Sequence, residues 1–293
     1  MNELVDEYLV HICKNKNLSD NTIEAYKRDL DGFSRYLTEN KCTFFNADDL
    51  TIKSYIQFLE SNGKKQSSLA RSIVCIRNFY KYLLKDNYIE KLPSIDYELP
   101  KAQRCLPEIL TVEEVNKLLC SPDTSTIKGI RDKAMLELMY ATGVKITDML
   151  NLNIEDVNLE FQYVRFRNDR GVERIVPIGK YAVEWIKKYM DVRHLYKPKR
   201  NDIIFLNIHG EIMTRQGFWK IVKYYAELSK IQKPINLYTL RHSVAVHMIE
   251  NGADIKTLQE LMGYKDISAV QIYLDIISQK KMLEVYKKSH PRA

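Results

Sequence analysis

The residues best suited to chemistry in this sequence are an arginine and a tyrosine in its C-terminal stretch, Arg241 and Tyr273. Arg241 falls in the first turn of a predicted helix, where the dipole and the unpaired backbone N–H groups favour an anion. A tyrosine hydroxyl can act as a nucleophile once its proton has been removed. The pattern therefore offers a phosphate-binding arginine followed by an aromatic hydroxyl.

Three short helices are predicted to position these two side chains across residues 237–276, the third of them carrying Tyr273. Their boundaries come from residues that commonly begin or end helices. The predicted ends are Thr239 and Gly252 for the first helix, Asp254 and Gly263 for the second, and Asp266 for the start of the third.

Length and composition limit the classes of protein that fit. The chain has 293 residues, of which 45% are hydrophobic, so two domains with buried cores are expected. No apolar run approaches the ~20 residues of a membrane span, and the N-terminus is acidic and amphipathic rather than a secretion signal. The cysteines are odd in number and scattered, which is typical of the reduced cytoplasm and argues against disulfides and zinc.

The net charge and the common cofactor motifs indicate which partner and which cofactor to expect. A formal net charge of +7 is compatible with a nucleic-acid partner, although many metabolic enzymes are equally basic. The sequence contains no Walker loop, no GxGxxG, no HExxH and no carboxylate cluster of the metal-site type. We therefore expect neither a cofactor nor a metal.

The hydrophobic periodicity predicts two domains of different character. Residues 1–90 give an all-helical pattern, with four helices expected at 2–14, 19–40, 48–60 and 64–85. Residues 91–107 contain three prolines and are predicted to be an extended linker. Residues 108–293 mix helices with a small sheet, in which a hairpin joins Phe161–Arg167 to Val172–Pro177 and a further short strand covers Ile203–Leu206.

Helices are also predicted along this second domain, and the last of them continues to the basic C-terminal end. They are expected after a capping box at Thr111, at 126–141, 146–150, 180–193 and 215–228, with a separate short tail helix after Ile277.

Several motifs match one family. They are LRH (Leu240–His242), NGAD (Asn251–Asp254), the run Met262–Ser268, QIY (Gln271–Tyr273), YATGVKITDMLNL (Tyr140–Leu152), ERIVPIG (Glu173–Gly179), MTRQGFWK (Met213–Lys220) and HPRA (His290–Ala293). Over nearly its whole length the chain resembles the tyrosine recombinases of the phage integrase type, most closely the XerD-like group that resolves chromosome dimers.

The resemblance implies a fold, an activity and a partner. The fold class is mainly α with a small β hairpin or sheet, divided into a helical core-binding domain and a catalytic domain. The activity is site-specific recombination of double-stranded DNA through a 3′-phosphotyrosyl intermediate, which conserves the bond energy and needs neither nucleotide nor metal. The protein is expected to assemble on DNA as a tetramer, alone or with a second, different recombinase.

The family's catalytic positions are only partly kept in this chain. The nucleophile is Tyr273, the second arginine is Arg241, the first arginine is replaced by Lys145, two histidine positions hold Tyr238 and Tyr264, and the hairpin lysine position holds Asp169 beside Arg170. A lysine keeps the positive charge but loses the bidentate fork of arginine. A tyrosine keeps a hydroxyl donor but loses the ring nitrogen that accepts a proton near neutral pH.

Two interpretations of these replacements compete. Removing one positioned donor typically costs about 10²–10³ in rate, so several losses point to weak or conditional catalysis, or to a silent DNA-binding partner. A third, less favoured interpretation is a helical protein that binds other proteins and no DNA. The sequence also leaves the biological role open among dimer resolution in chromosome partition, integration or excision, and inversion.

DNA-binding residues are expected on two helices. By resemblance, the helix at 64–85 enters the major groove, and the helix that starts at Arg215 contacts the DNA backbone. The candidates are Lys64, Lys65, Ser67, Arg71, Arg77, Arg215 and Gln216. On composition alone a solvated helix face is the better interpretation of the candidates on the 64–85 helix, and His242 is interpreted as structural.

Overall fold

The computed structural model describes residues 2–94 apart from 17 and 19, then 106–167, 173–200, 202–264 and 266–289. The chain divides into two compact units, Met1–Arg104 and Cys105–Ala293. Among the described residues no helix combines the length and the apolar character that crossing a bilayer would need.

The first unit is a bundle of four helices, α1 (Asn2–Lys16), α2 (Asp20–Glu39), α3 (Asp49–Ser61) and α4 (Gln66–Lys85). Apolar residues at three- and four-residue spacing give each helix one buried face. The core of the bundle is rich in aromatic rings, with Phe33, Phe44, Phe79 and Tyr80 almost fully buried. The four predicted helices are therefore present, and α3 begins at Asp48, whose side chain accepts from the Thr51 backbone N–H at 2.8 Å.

Besides two short 3-10 helices, the second unit contains eight α-helices among its described residues. They are α5 (Val112–Cys120), α6 (Ile127–Thr142), α7 (Ile146–Leu150), α8 (Lys180–Arg193), α9 (Arg215–Leu228), α10 (Thr239–Glu250), α11 (Ile255–Met262) and α12 (Ser268–Ser289). The predicted capping box at Thr111 is confirmed, since Thr111 and Glu114 bond reciprocally. Gly143 ends α6 and Gly263 ends α11, both with positive φ, a conformation that glycine adopts without a steric cost.

The sheet has three antiparallel strands, β1 (Val157–Asn158), β2 (Tyr163–Arg167) and β3 (Glu173–Pro177), in the order β1-β2-β3. The predicted hairpin is confirmed by the register Phe166 opposite Arg174. Its turn, predicted at 168–171, lies outside the described residues. β1 was not predicted, because two residues carry too little alternation to identify a strand.

Three local predictions were wrong. Ile203–Leu206 is not a strand: it makes only isolated bridges, and this buried apolar segment is instead held by side chains, with Arg193 bonding to the carbonyl oxygens of Ile203 and Ile204. The residue at the start of α10 is Tyr238 rather than Thr239. The tail is not a separate helix, because α12 runs without interruption from Ser268 to Ser289.

A buried ionic cluster stabilises the start of α6. Arg131 is 2% exposed, donates twice to Oδ1 of Asp132 and donates from Nη1 to the Leu206 carbonyl at 3.1 Å. Tyr225 of α9 donates to the other oxygen of Asp132 at 3.0 Å. The cluster thus connects α6 with α9 and with the segment around Leu206, and no motif in the sequence pointed to it.

Candidate active site

The site is built around Arg241, in the first turn of α10, whose side chain is 3% exposed. Its Nη1 donates to the Gly143 carbonyl at 2.6 Å and its Nη2 to the Met262 carbonyl at 2.9 Å. These carbonyls lie at the C-terminal ends of α6 and α11, where the helix dipoles favour a cation. The guanidinium is therefore fixed by two helix ends, which explains how so buried a charge is tolerated.

The third donor of Arg241 connects it to Tyr264. Arg241 Nε donates to the Tyr264 hydroxyl at 3.2 Å, and the guanidinium carbon lies 4.3 Å from the centre of the Tyr264 ring. A cation above an aromatic face at this distance is attracted by the ring quadrupole. Tyr264, which immediately follows Gly263 at the end of α11, is thus held in place by the arginine.

Tyr273 lies on α12, with its ring among the apolar side chains of α10, α11 and α12, and is 1% exposed. Its hydroxyl is nevertheless in a polar position, 2.5 Å from the Tyr264 hydroxyl and 2.8 Å from Nδ1 of His242. Burial, and then the neighbouring Tyr264 hydroxyl, raise the pKa of Tyr273 well above its ordinary value. In this arrangement Tyr273 is therefore a neutral phenol that needs a proton acceptor before it can attack.

His242 is the histidine beside this phenol. Its burial, and then the positive charge of Arg241, lower the pKa of His242 to about 4. At neutral pH the imidazole is accordingly uncharged and has one ring nitrogen able to accept a proton. The expectation that His242 is merely structural overlooked this contact with Tyr273.

A second arginine that the sequence analysis missed lies against the same region. Arg174 on β3 donates to Oδ2 of Asp148 at 3.1 Å, and its guanidinium lies over the Phe166 ring. A Cβ atom on Gly263 would come within 2.0 Å of Arg174 Nη1, so the missing side chain makes room for it. Burial, opposed by Asp148 and assisted by Arg241, lowers the pKa of Arg174. The alternation of Arg174 with the inward-facing Val176 could have revealed that it points into the unit.

Of the replaced family positions, Tyr264 belongs to this core, whereas Lys145 and Tyr238 lie around it without hydrogen bonds to Arg241 or Tyr273. Lys145 immediately precedes α7 and is exposed, two residues after the Gly143 carbonyl that Arg241 binds. Tyr238 is 49% exposed, and its hydroxyl accepts from Arg215 Nη2 at 3.1 Å. The centre of its ring is 6.2 Å from that of His242.

The hairpin contributes less than was expected within the described residues. Arg170 and Asp169 lie outside them. Arg167, the last residue of β2 and the hairpin cation that the structure does describe, is held by carboxylates, with Nε 2.9 Å from Glu173 Oε1 and Nη2 3.2 Å from Asp156 Oδ1. Swinging Arg167 towards a phosphate would break both ion pairs.

The predicted DNA-binding residues divide into exposed and engaged groups. Lys64, Lys65 and Ser67 are exposed at the start of α4, where no side chain caps the helix. Arg71 instead makes a two-pronged ion pair with Asp29 of α2, at 2.8 and 3.1 Å.

The other three DNA-binding candidates are partly or fully exposed. Arg77 is partly exposed, and Arg215 and Gln216 are exposed in the first turn of α9. No group of three His, Cys, Asp or Glu side chains that could hold a metal occurs in the described part of the chain.

Family models match both units of this chain. Residues 108–280 match the family described as "Phage integrase family", and residues 5–87 match "Phage integrase, N-terminal SAM-like domain". The chain belongs to the phage integrase family. As a member it is a tyrosine recombinase, an enzyme that breaks and rejoins DNA in site-specific recombination.

Curated relatives of this integrase match it from end to end. It is 43% identical over 299 residues to the tyrosine recombinase XerD of Listeria innocua, and each chain is covered completely. It is 41% identical over 296 residues to the tyrosine recombinase XerD of Staphylococcus epidermidis, again with complete coverage of both. The XerD-like resemblance is therefore confirmed at the level of the whole sequence.

Solved structures share the fold of this integrase at low sequence identity. XerH recombinase, bound to a palindromic difH substrate, aligns with a TM-score of 0.77 at 21% identity, covering 95% of this chain and 83% of that one. A lambda integrase dimer bound to a COC′ core site aligns with a TM-score of 0.71 at 16% identity, covering 93% and 94%. The predicted fold class, mainly helical with a small sheet, is confirmed.

Proposed function

We propose that Tyr273 attacks a DNA phosphate held at Arg241 and forms a 3′-phosphotyrosyl link, which a second strand later resolves. The observation that carries this proposal is one unbroken path of contacts, in which Arg241 bonds to Tyr264, Tyr264 to Tyr273, and Tyr273 to His242. It brings the two family residues that this chain kept into a single cluster. A phenol placed for packing alone would not need polar partners on both sides.

The donors around Arg241 suit a phosphate. Nη1 and Nη2 of a guanidinium each carry two hydrogens, and here one from each binds a carbonyl oxygen. The remaining hydrogens are available to phosphate oxygens as negative charge develops in the transition state. Lys145 supplies a second charge from the neighbouring loop, Tyr238 contributes a hydroxyl through its pair with Arg215, and Arg170 contributes from the hairpin.

Catalysis on this arrangement is conditional. Tyr273 is 1% exposed, so we propose that its hydroxyl reaches a phosphate after Tyr264 has moved aside. This movement breaks the 2.5 Å contact between the two hydroxyls but leaves the contact of Tyr273 with His242. We propose that binding of the correct DNA supplies the energy for this change, and that the enzyme is inactive without it.

The surface residues fit a grip on duplex DNA. Lys64, Lys65 and Ser67 lie at the uncapped start of α4, where free N–H groups and lysine charges both favour phosphate oxygens. Arg215 and Gln216 offer a second helix start, and Arg77 lies further along α4. Arg71 is better placed to position α4 through Asp29 than to read a base, unless DNA displaces that ion pair.

Assembly follows from the reaction. Exchange between two duplexes requires both strands of each duplex to be cleaved, which makes four cleavages in all. One protomer performs each cleavage, so we propose a tetramer on DNA, formed by this chain alone or with a second recombinase. We propose chromosome partition by dimer resolution as its role and the cytoplasm as its location. The full-length similarity to XerD proteins and the four free cysteines among the described residues support these two assignments.

A nicked suicide duplex tests the reaction. Random-sequence duplexes are first enriched by binding to the Tyr273→Phe variant, and the recovered sites are then prepared with a nick next to each candidate phosphate. The wild type is expected to form a covalent protein–DNA species that resists denaturant, and Tyr273→Phe to form none while binding equally well. Equal binding without any covalent product from the wild type would contradict the proposal.

The second candidate function is a DNA-binding partner without catalysis. The complete burial of the Tyr273 side chain favours it, because a nucleophile that never leaves this position cannot react. The same experiment separates the two functions, since a silent partner enriches specific duplexes but leaves them uncleaved.

A further inference from the structure

We infer that His242 is the general base of the reaction and that it takes the proton of Tyr273 on its Nδ1 atom. The inference deepens the proposed function and rests on it. In this chain the two histidine-type positions of the family are occupied by tyrosines, Tyr238 and Tyr264. The inference gives the role of base to His242, the residue that follows Arg241.

The direction of the hydrogen bonds supports this assignment. A guanidinium can only donate, so Arg241 Nε must donate to the Tyr264 hydroxyl. The single hydroxyl hydrogen of Tyr264 is then used best in the 2.5 Å contact to the Tyr273 oxygen. The hydrogen of Tyr273 in turn points to His242 Nδ1, 2.8 Å away. In this order every hydroxyl donates once and accepts once.

Neither of the other side chains near Tyr273 can act as the base. The hydroxyl of a phenol such as Tyr264 is a far weaker proton acceptor than imidazole, and the guanidinium of Arg241 has hydrogen-bond donors but no acceptor atom. Tyr238 bonds to Arg215 instead. Among the described residues that hydrogen-bond to the Tyr273 hydroxyl, Tyr264 and His242, the imidazole of His242 is therefore the stronger proton acceptor.

The surroundings keep His242 in the form that a base requires. Among the described residues, the charged and titratable groups near it are Arg241 from its own helix, Tyr273 from α12 and Tyr238 from the segment before α10. Tyr264 and Arg215 lie behind these, bonded to Tyr273 and Tyr238 respectively. Burial and Arg241 lower the pKa of His242 to about 4, so the ring is neutral at physiological pH. When a phosphate occupies the site, its negative charge favours the imidazolium that proton transfer creates.

Each proton that moves in this step has a donor and an acceptor. As the Tyr273 oxygen bonds to phosphorus, its proton passes to His242 Nδ1. The bond from phosphorus to the 5′ oxygen breaks, its electron pair remains on that oxygen, and a water molecule supplies the proton that completes the 5′ hydroxyl and becomes hydroxide. In the rejoining step the 5′ hydroxyl attacks phosphorus and gives its proton to that hydroxide, which becomes water again, while the imidazolium returns its proton to the departing Tyr273 oxygen.

The test compares His242→Asn with wild type in single-turnover cleavage of the enriched nicked duplex. Asparagine places an oxygen close to the position of Nδ1, so it can keep the hydrogen bond to Tyr273 but cannot take a proton. We expect cleavage to be ~10²–10⁴-fold slower with unchanged DNA affinity, the range typical of a lost general base. A merely structural contact predicts a rate close to wild type.

His247→Asn is the matched control. His247 is also buried on α10, but it bonds to Tyr140 and to the Leu110 carbonyl rather than to Tyr273. Its variant is expected to cleave at the wild-type rate once folding has been confirmed by thermal denaturation. An equal loss of rate in both variants would overturn the inference, because it would trace the loss to α10 and not to the base.

A pH series gives a readout that a structural role would not change. With a base that is already neutral, the wild-type rate is expected to be flat from pH 6 to 8 and to fall in acid. In the His242→Asn variant, which lacks this base, cleavage depends on the small fraction of Tyr273 present as tyrosinate. Its rate should therefore rise about tenfold per pH unit over the same range. A wild-type rate that itself rises tenfold per unit between pH 6 and 8 would sink the inference, even if the variant did not fold.

A sulfur-substituted duplex distinguishes base from acid. With sulfur in place of the bridging 5′ oxygen the leaving group needs no proton, so loss of an acid would be rescued and loss of a base would not. We expect His242→Asn to remain slow on this duplex, and full rescue would overturn the assignment. If wild type gives no covalent product on either duplex while still binding DNA, the proposed function itself fails and the inference falls with it.

Discussion

At the scale of single residues, other side chains make contacts that partly replace those of the substituted family residues. Tyr264 cannot act as a histidine, but it connects Arg241 to Tyr273 through its hydroxyl. His242 supplies the imidazole that Tyr238 and Tyr264 lack. The arginine fork at Lys145 has no observed substitute, because Arg174 is bound to Asp148.

Lys145→Arg is therefore expected to increase the rate of covalent complex formation. A guanidinium binds two phosphate oxygens at once, whereas an ammonium acts as a point charge. We expect a gain of about tenfold, equivalent to about 1.4 kcal/mol of transition-state stabilisation. Single-turnover cleavage measures it, with Lys223→Arg on the exposed face of α9 as the control. A gain of equal size in the control would show that the effect is not local to the site.

Gly263→Ala is expected to destabilise the protein and to displace Arg174. The new Cβ would lie 2.0 Å from Arg174 Nη1, at a φ of +67°. The matched control is Gly252→Ala, with a φ of +93° and no atom within 4 Å, which carries only the conformational cost. In urea denaturation Gly263→Ala should lose at least ~1 kcal/mol more than the control. Equal losses would mean that Arg174 adapts freely.

At the scale of elements, two helix ends and a short sheet position the site. The C-terminal carbonyls of α6 and α11 hold Arg241, while β3 carries Arg174 to the turn at Gly263. The position of α6 depends in turn on the buried cluster of Arg131, Asp132 and Tyr225. The stability of this cluster therefore bears on the geometry of the site.

Asp132→Asn is expected to destabilise the second unit strongly. It would leave the guanidinium of Arg131, 2% exposed, without its counter-charge, and breaking a buried ion pair from one side typically costs about 3–5 kcal/mol. Urea denaturation followed by far-ultraviolet circular dichroism measures this loss. Glu184→Gln, which breaks the exposed pair with Lys188, is the control and should leave the denaturation midpoint unchanged. A small effect of Asp132→Asn would indicate that water or a rearranged side chain reaches Arg131.

At the scale of the whole molecule, each unit has its own core and its own part in the proposed reaction. The helical unit presents the exposed start of α4, and the other unit contains the reacting cluster. The boundaries proposed from the sequence, 1–90, 91–107 and 108–293, remain a prediction about how these functions are divided.

Replacing Lys64 and Lys65 together by glutamine is expected to weaken DNA binding and to reduce its dependence on salt. Each lost phosphate contact lowers the slope of log affinity against log salt by about 0.9, so two contacts give about 1.8. Binding titrations at several salt concentrations measure the slope. A control variant with glutamine at Lys53 and Lys81, exposed lysines elsewhere on the same unit, should keep the wild-type slope. An unchanged slope in the first variant would remove α4 from the interface.

The sequence alone determined the elements and the identity of the two principal side chains. Helical period and capping residues predicted α1 to α11 to within a few residues, because these signals act over neighbouring positions. Arg241 and Tyr273 were singled out by motif. The strand at Val157–Asn158 was missed, and the one at Ile203–Leu206 was wrongly predicted, because pairing partners distant in sequence decide whether an apolar run becomes a strand.

Only the tertiary structure decided which side chains meet. His242 and Tyr273 are brought together by the packing of α10 against α12, and Arg174 reaches Gly263 because β3 passes the end of α11. Local propensity carries no information about such contacts, since they depend on how separate hydrophobic faces are buried against one another. The physical environment of each group, including the neutral state of His242 and the raised pKa of Tyr273, follows from that burial.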